Sequence, residues 1–113
     1  MDTKISSLIA DIEAGKKVFA DVLALIDKEY LHQPTAFKNG DAYNQADQNQ
    51  GSAKVFSFAK LNKLAEQDTL KLFAEHYQAV LEHPDAQDHQ NIRQFMKHGW
   101  LGIAFEGDAL LKK

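Results

Sequence analysis

The sequence predicts an α+β domain: about five helices around one core, beside a small antiparallel sheet made from a hairpin over 35–43 and a strand over 101–105. Three observations carry this. Apolar residues recur at helical spacing through most of the chain; Asn39-Gly40 sits between short aromatic-bearing segments; and Leu101 to Phe105 is an apolar run bounded by Gly107 and suited to a strand. No internal repeat or linker divides the chain, so residues 1–113 read as a single domain, long enough to bury its core without a disulfide or metal staple.

Ile5, Leu8, Ile9 and Ile12 define a first amphipathic helix, with Asp2 or Thr3 to cap its start and Gly15 to end it. A second helix carries Phe19, Val22, Leu23, Ile26 and Tyr30 and must stop before Pro34, because the residue preceding a proline avoids the helical region. The short connection around Gly15 makes the two an antiparallel pair.

The next segment holds the hairpin signal, and two loop lengths compete. A two-residue Asn39-Gly40 turn puts Phe37 and Tyr43 on opposite faces. A three-residue Lys38-Asn39-Gly40 loop pairs Phe37 with Asp41 and Thr35 with Tyr43, places both aromatics on one face, and is the expected form. Asn44 to Asn49 reads as a polar loop with little to bury.

Gly51-Ser52 opens a third helix whose Val55, Phe56, Phe58, Ala59, Leu61 and Leu64 lie on more than one side, the mark of the most buried helix. A fourth carries Leu70, Phe73, Ala74, Tyr77, Val80 and Leu81 and ends at His83-Pro84, with Ala65 as a weak cap. The fifth is expected to be capped by Asp88, to bury Ile92, Phe95 and Met96, and to end at a left-handed Gly99, so that Trp100 folds back on Phe95. The 101–105 strand finds its partner in the hairpin, since a two-stranded ribbon alone is marginal in water.

Composition narrows the function. A formal charge of −3 without clustered Lys and Arg argues against nucleic acid as a partner. The absence of cysteine removes thiol nucleophiles and thiolate metal sites. No apolar run approaches a membrane span, and the N-terminus lacks the pattern of a signal peptide, so no membrane partner is expected and the cytoplasm is the expected compartment.

Three of the five histidines fall between His83 and His98, close to a cluster of carboxylates. His76, His83, Asp85, Asp88 and His89 offer the imidazole and carboxylate donors of a metal site; against this, Asp88 is explained as a cap and His83 as a helix-end residue. Glu75, His76, Asp85 and His89 are candidates for a general acid–base pair, although no spacing demands one. No phosphate loop, nucleophile elbow or dinucleotide fingerprint occurs, and no cofactor is expected. Phe56, Phe58, Phe73, Tyr77, Phe95 and Trp100 read as core rather than pocket lining. Lys97 and His98 suit the negative pole of the fifth helix, and Arg93 is placed to form a surface ion pair amid Asp85 and Asp88.

Taken together, Pro34-Thr35-Ala36-Phe37-Lys38-Asn39-Gly40, Asn49-Gln50-Gly51-Ser52-Ala53-Lys54-Val55-Phe56-Ser57-Phe58-Ala59, Leu70-x-x-Phe73-x-Glu75-His76-Tyr77 and His83-Pro84-Asp85 through Trp100 resemble the HopJ type III effector family over nearly the whole chain. Ala53 stands where that family often has Cys, and Ala86-Gln87 replaces a commoner Gly-Thr. The resemblance implies an effector-like protein of no established activity: first, a non-enzymatic interaction module with an unidentified protein partner; second, a small enzyme or a metal- or ligand-binding protein using the cluster around 76–89. It also implies delivery into a host cell. Such export usually relies on a flexible polar N-terminal tail, whereas a helix is expected here from the first few residues, so residence in the cytoplasm remains the expectation.

Overall fold

A computed structural model describes residues 2–113. Helix α1 (Thr3–Glu13) starts where Asp2 accepts a hydrogen bond from the Lys4 amide at 2.6 Å, and Gly15 takes a positive φ of 77° just past its end. Helix α2 (Phe19–Glu29) is held from two directions at its start. The Asp21 carboxylate accepts from the Val18 amide at 2.8 Å, and Glu75 accepts from the Phe19 amide at 2.8 Å. The two helices run antiparallel, with Lys4 donating to Glu29 at 2.6 Å.

Helix α2 ends earlier than the apolar spacing predicts. Tyr30 is already extended and opens β1 (Tyr30–His32), which pairs antiparallel with β5 (Leu110–Lys112), so that Tyr30 faces Lys112. This second sheet is absent from the sequence expectation, because strands of three residues carry too little alternation to be seen.

The hairpin is present with a different register. Strands β2 (Phe37–Asn39) and β3 (Ala42–Asn44) pair Phe37 with Asn44 and Asn39 with Ala42, leaving a two-residue Gly40-Asp41 turn. Neither loop anticipated from Asn39-Gly40 is adopted. Gly40 occupies the first central position with φ 57°, the place a hairpin turn reserves for glycine when only that residue is left-handed. Phe37, Asn39 and Asn44 therefore share the buried face, and Tyr43 lies on the other, where its hydroxyl donates to Glu106 at 2.6 Å.

The predicted third strand is there as β4 (Ile103–Phe105), on the opposite edge of β2, with Phe37 and Phe105 paired and their rings stacked 4.9 Å apart. It begins later than expected because Gly99–Gly102 forms a 3-10 helix, which leaves Leu101 fully exposed.

Helix α3 (Gln50–Leu61) is the central element: Ala53, Val55, Phe56, Phe58 and Ala59 are buried on several sides, whereas Leu61 is exposed. Phe56 contacts the rings of Phe37, Phe73, Phe95 and Trp100, with centroids 5.0 to 6.5 Å away. The single fourth helix of the sequence reading is broken into α4 (Glu66–Lys71) and α5 (Glu75–Glu82), because Ala74 adopts φ 52° and ψ −121° between them. In α6 (Gln90–His98), Ile92 and Phe95 are buried with Asn91, but Met96 is exposed. Gly99 takes φ 62°, and the Trp100 ring meets Phe95 edge-on at 5.0 Å, as expected from the glycine stop. The indole N–H of Trp100 donates to the Leu64 carbonyl at 3.1 Å and its amide to Glu66 at 3.1 Å, so the segment after α6 is fastened to the entry of α4. No helix of the described residues is long and apolar enough to cross a membrane.

Two expectations follow from these contacts. Phe56→Ala removes a fully buried ring and should cost about 3–5 kcal/mol, seen as a lower urea midpoint. Hydrogen bonding from Lys4, and then the nearby charges of Lys4 and Lys112, hold the Glu29 carboxyl below its ordinary value. A depressed carboxyl stabilises above its unfolded-state value, about 4.5, and loses that contribution as the pH falls through the folded value; Glu29→Gln should therefore flatten the acid limb of a stability profile as the pH falls below about 4.5.

Candidate functional site

Four of the six residues that the sequence marks out, His83, Asp85, Asp88 and His89, lie near one another in the chain, yet the fold distributes the six over different surfaces. His76 and His89 come together: their rings, from α5 and from the residue before α6, sit 5.0 Å apart at a 39° tilt. The His76 ring also meets Phe19 edge-on at 4.9 Å, and Phe19 stacks on Phe73 at 5.8 Å. Both histidines are half-buried and line a cleft of about 510 Å³ bounded by the start of α2, β3, the first turn of α3, α5 and the first turn of α6.

The other candidates face elsewhere. Glu75 is engaged in capping α2 and lines a separate groove with Ile12, Val18 and Tyr77. His83 is exposed at the end of α5, where its amide donates to the Ala79 and Val80 carbonyls at 3.0 and 3.2 Å. Asp85 is exposed and lines no part of the histidine cleft. Asp88 pairs with Arg93 at 2.8 Å, the surface ion pair anticipated for that arginine, and this hydrogen bond is the main cause of a carboxyl held below the usual range. Arg93 also donates to the Asp88 and Pro84 carbonyls at 2.6 and 3.1 Å, closing the loop between α5 and α6. Among the described residues, no three His, Asp or Glu side chains gather closely enough to hold a metal ion.

The expected Asp88 cap of the last long helix is not formed. His89 is the N-cap, left-handed at φ 52° and ψ 46°, and Asn49 does the same for α3 at φ 51° and ψ 40°. Asn and His tolerate this region better than most residues, but in it neither side chain caps its own helix. An α-helix leaves its first amides without internal partners. Among the described residues, the amides of Gln50, Gly51 and Ser52 on α3 and of Gln90 and Asn91 on α6 meet no acceptor. Both first turns line the cleft.

Behind them is an asparagine network, buried at Asn39, Asn44 and Asn91, that the sequence reading missed by counting Asn44 with the polar loop; residues 45–49 are exposed as expected. Asn91 Oδ1 accepts from Asn39 and Asn44, each at 3.1 Å; Asn44 Oδ1 accepts from Asn49 at 2.7 Å and Asn91 at 2.9 Å. The Asn91 carbonyl takes a further bond from Asn39 at 2.8 Å. Asn44 is therefore a buried strand residue, and the network ties the inner face of β2 and β3 to the starts of α3 and α6. The available signal was the pattern itself: asparagines at 39 and 44 alternate out of phase with the exposed Lys38 and Tyr43.

A family model described as HopJ type III effector protein matches residues 5–110. No curated protein matches the chain significantly. Among solved structures, the crystal structure of "unknown function protein VPA0580" is similar, with 40% identity and a TM-score of 0.87 over 100% of this chain and 95% of that one.

Asn91→Ala should destabilise the domain by about 1–3 kcal/mol in urea unfolding, because the buried amides of Asn39 and Asn44 lose their shared acceptor while remaining out of water.

Proposed function

The chain belongs to the HopJ type III effector protein family, whose description names a delivery route and no chemistry, and we propose from the geometry that the domain is a small-ligand-binding protein with its site at the His76–His89 cleft. The observation that carries this reading is the convergence of two imidazoles and two open helix starts on one concavity large enough for a small molecule. Phe19 and Phe73 supply an apolar wall and the asparagine network a fixed polar floor, so a ligand would meet groups already held in place.

The candidate acid–base and metal residues enter this reading in part. His76 and His89 serve as ligand contacts. Glu75 acts at a distance, by tying α2 to α5 beside the cleft, and His83 and Asp85 have no part in it.

A second reading, a protein-interaction surface, draws on one specific observation. Between α5 and α6 lies a shallow apolar groove where Leu81 and Met96 are nearly half exposed beside Pro84, Arg93 and Lys97. Isolated exposed apolar residues are ordinary on soluble proteins, so the cleft is the better-supported site.

A screen of small polar compounds by NMR on isotope-labelled protein tests the choice. Hits should move the resonances of Ser52, His76, His89 and Asn91, and Gln87→Trp at the exposed rim should weaken them by about tenfold or more, equivalent to 1.4 kcal/mol. Responses confined to Leu81, Met96 and Lys97 would transfer the function to the groove.

A further inference from the structure

We propose that the His76–His89 cleft selects anions, taking a ligand that presents a carboxylate, sulfate or phosphate group to the two imidazoles. This rests on the cleft being the ligand site and goes further by assigning the class of ligand.

The argument begins with what lines the cleft. Two imidazoles, the Ser52 hydroxyl and side-chain amides face it, and none of its lining residues is an Asp or a Glu, in a chain whose net charge is −3. A cation would enter a site without a single carboxylate, although the protein has sixteen to offer. Two of the side-chain oxygen atoms that a hard cation could use instead are consumed. Asn44 Oδ1 and Asn91 Oδ1 each already accept two hydrogen bonds from neighbouring asparagines. What stays open is donor capacity. An imidazole ring nitrogen donates in its neutral form, and both donate when it is protonated, which for histidine is within reach of physiological pH.

The backbone adds to the same sign. The first turns of α3 and α6, twelve and nine residues long, open on the cleft with unpaired amides, and the left-handed Asn49 and His89 leave those turns uncapped by their own side chains. A helix start carries partial positive charge, and two of them beside a pair of imidazoles leave the site lacking negative charge. An anion supplies it and accepts from several of these donors at once.

Sulfate is the appropriate probe, because its charge is constant where imidazole titrates. Titrated at about pH 6, against chloride at equal ionic strength, it should move the Gly51, Ser52 and Asn91 amides and the His76 and His89 ring signals along one saturating curve. His76→Gln and His89→Asn should each weaken binding about tenfold; the second keeps a residue that tolerates the left-handed conformation, so folding is preserved. His83→Ala, outside the cleft, should leave binding unchanged. Sulfate shifts scattered over surface lysines, a curve that ignores both variants, or zinc uptake by the two imidazoles with no sulfate response would overturn the assignment. If uncharged compounds occupy the cleft and sulfate does not, the anion assignment falls while the ligand site stands; if neither binds there, both fall.

Discussion

The burial of Phe56 is the constraint on which the remaining geometry depends. Its ring, fully removed from water on α3, meets aromatic side chains from four parts of the molecule: Phe37 from the three-stranded sheet, Phe73 from the α4–α5 junction, Phe95 from α6 and Trp100 from the 3-10 helix. Aromatic packing is close and geometrically selective, so these contacts fix directions as well as distances. Because α3 and α6 are joined in mid-helix through Phe56 and Phe95, their starts have a fixed separation. The cleft is in this sense a product of the core.

Apolar burial alone would allow the sheet to slide against α6. The asparagines limit that freedom, since each amide reaches its partner only when Asn39, Asn44, Asn49 and Asn91 are in one arrangement. The arrangement is not free of cost: Asn39 Oδ1 is buried with no hydrogen-bond partner among the described residues. Leaving one acceptor unpaired costs about 1–3 kcal/mol, a penalty that the other bonds of the network offset while specifying a unique docking.

Much of the fold was legible because it is written locally. Ile5 to Ile12, Val55 to Leu64 and the Gly99-Trp100 stop announce themselves through spacing and punctuation, and the Trp100–Phe95 contact follows from them. Where the reading failed, a nonlocal contact had overridden a local preference. Asp88 is a better cap than His89 by intrinsic preference, but its carboxylate is taken by Arg93. The hairpin turns one residue later than Asn39-Gly40 suggests, because Asn39 is needed on the buried face to meet Asn91. The break at Ala74 has no side-chain signal at all. For the site, sequence proximity misled: His83, Asp85 and Asp88 are near His89 along the chain, yet the ring that shares the cleft with it is that of His76, contributed by another helix. No single-element periodicity relates two residues on either side of a loop.

The pairing of Tyr30–His32 with Leu110–Lys112 has a kinetic side. Its strands come from distant parts of the sequence, and Lys4 and Lys112, far apart in the chain, meet at one carboxylate, with Lys4 donating to Glu29 and Lys112 lying 3.6 Å from it. Closing so long a loop costs entropy that contacts made elsewhere must offset, so this ribbon is expected to form late in folding. An interaction that forms after the transition state acts on the escape rate from the native state rather than on the rate of reaching it. On that account the ribbon is a clasp, expected to bear on the rate of unfolding more than on the rate of folding.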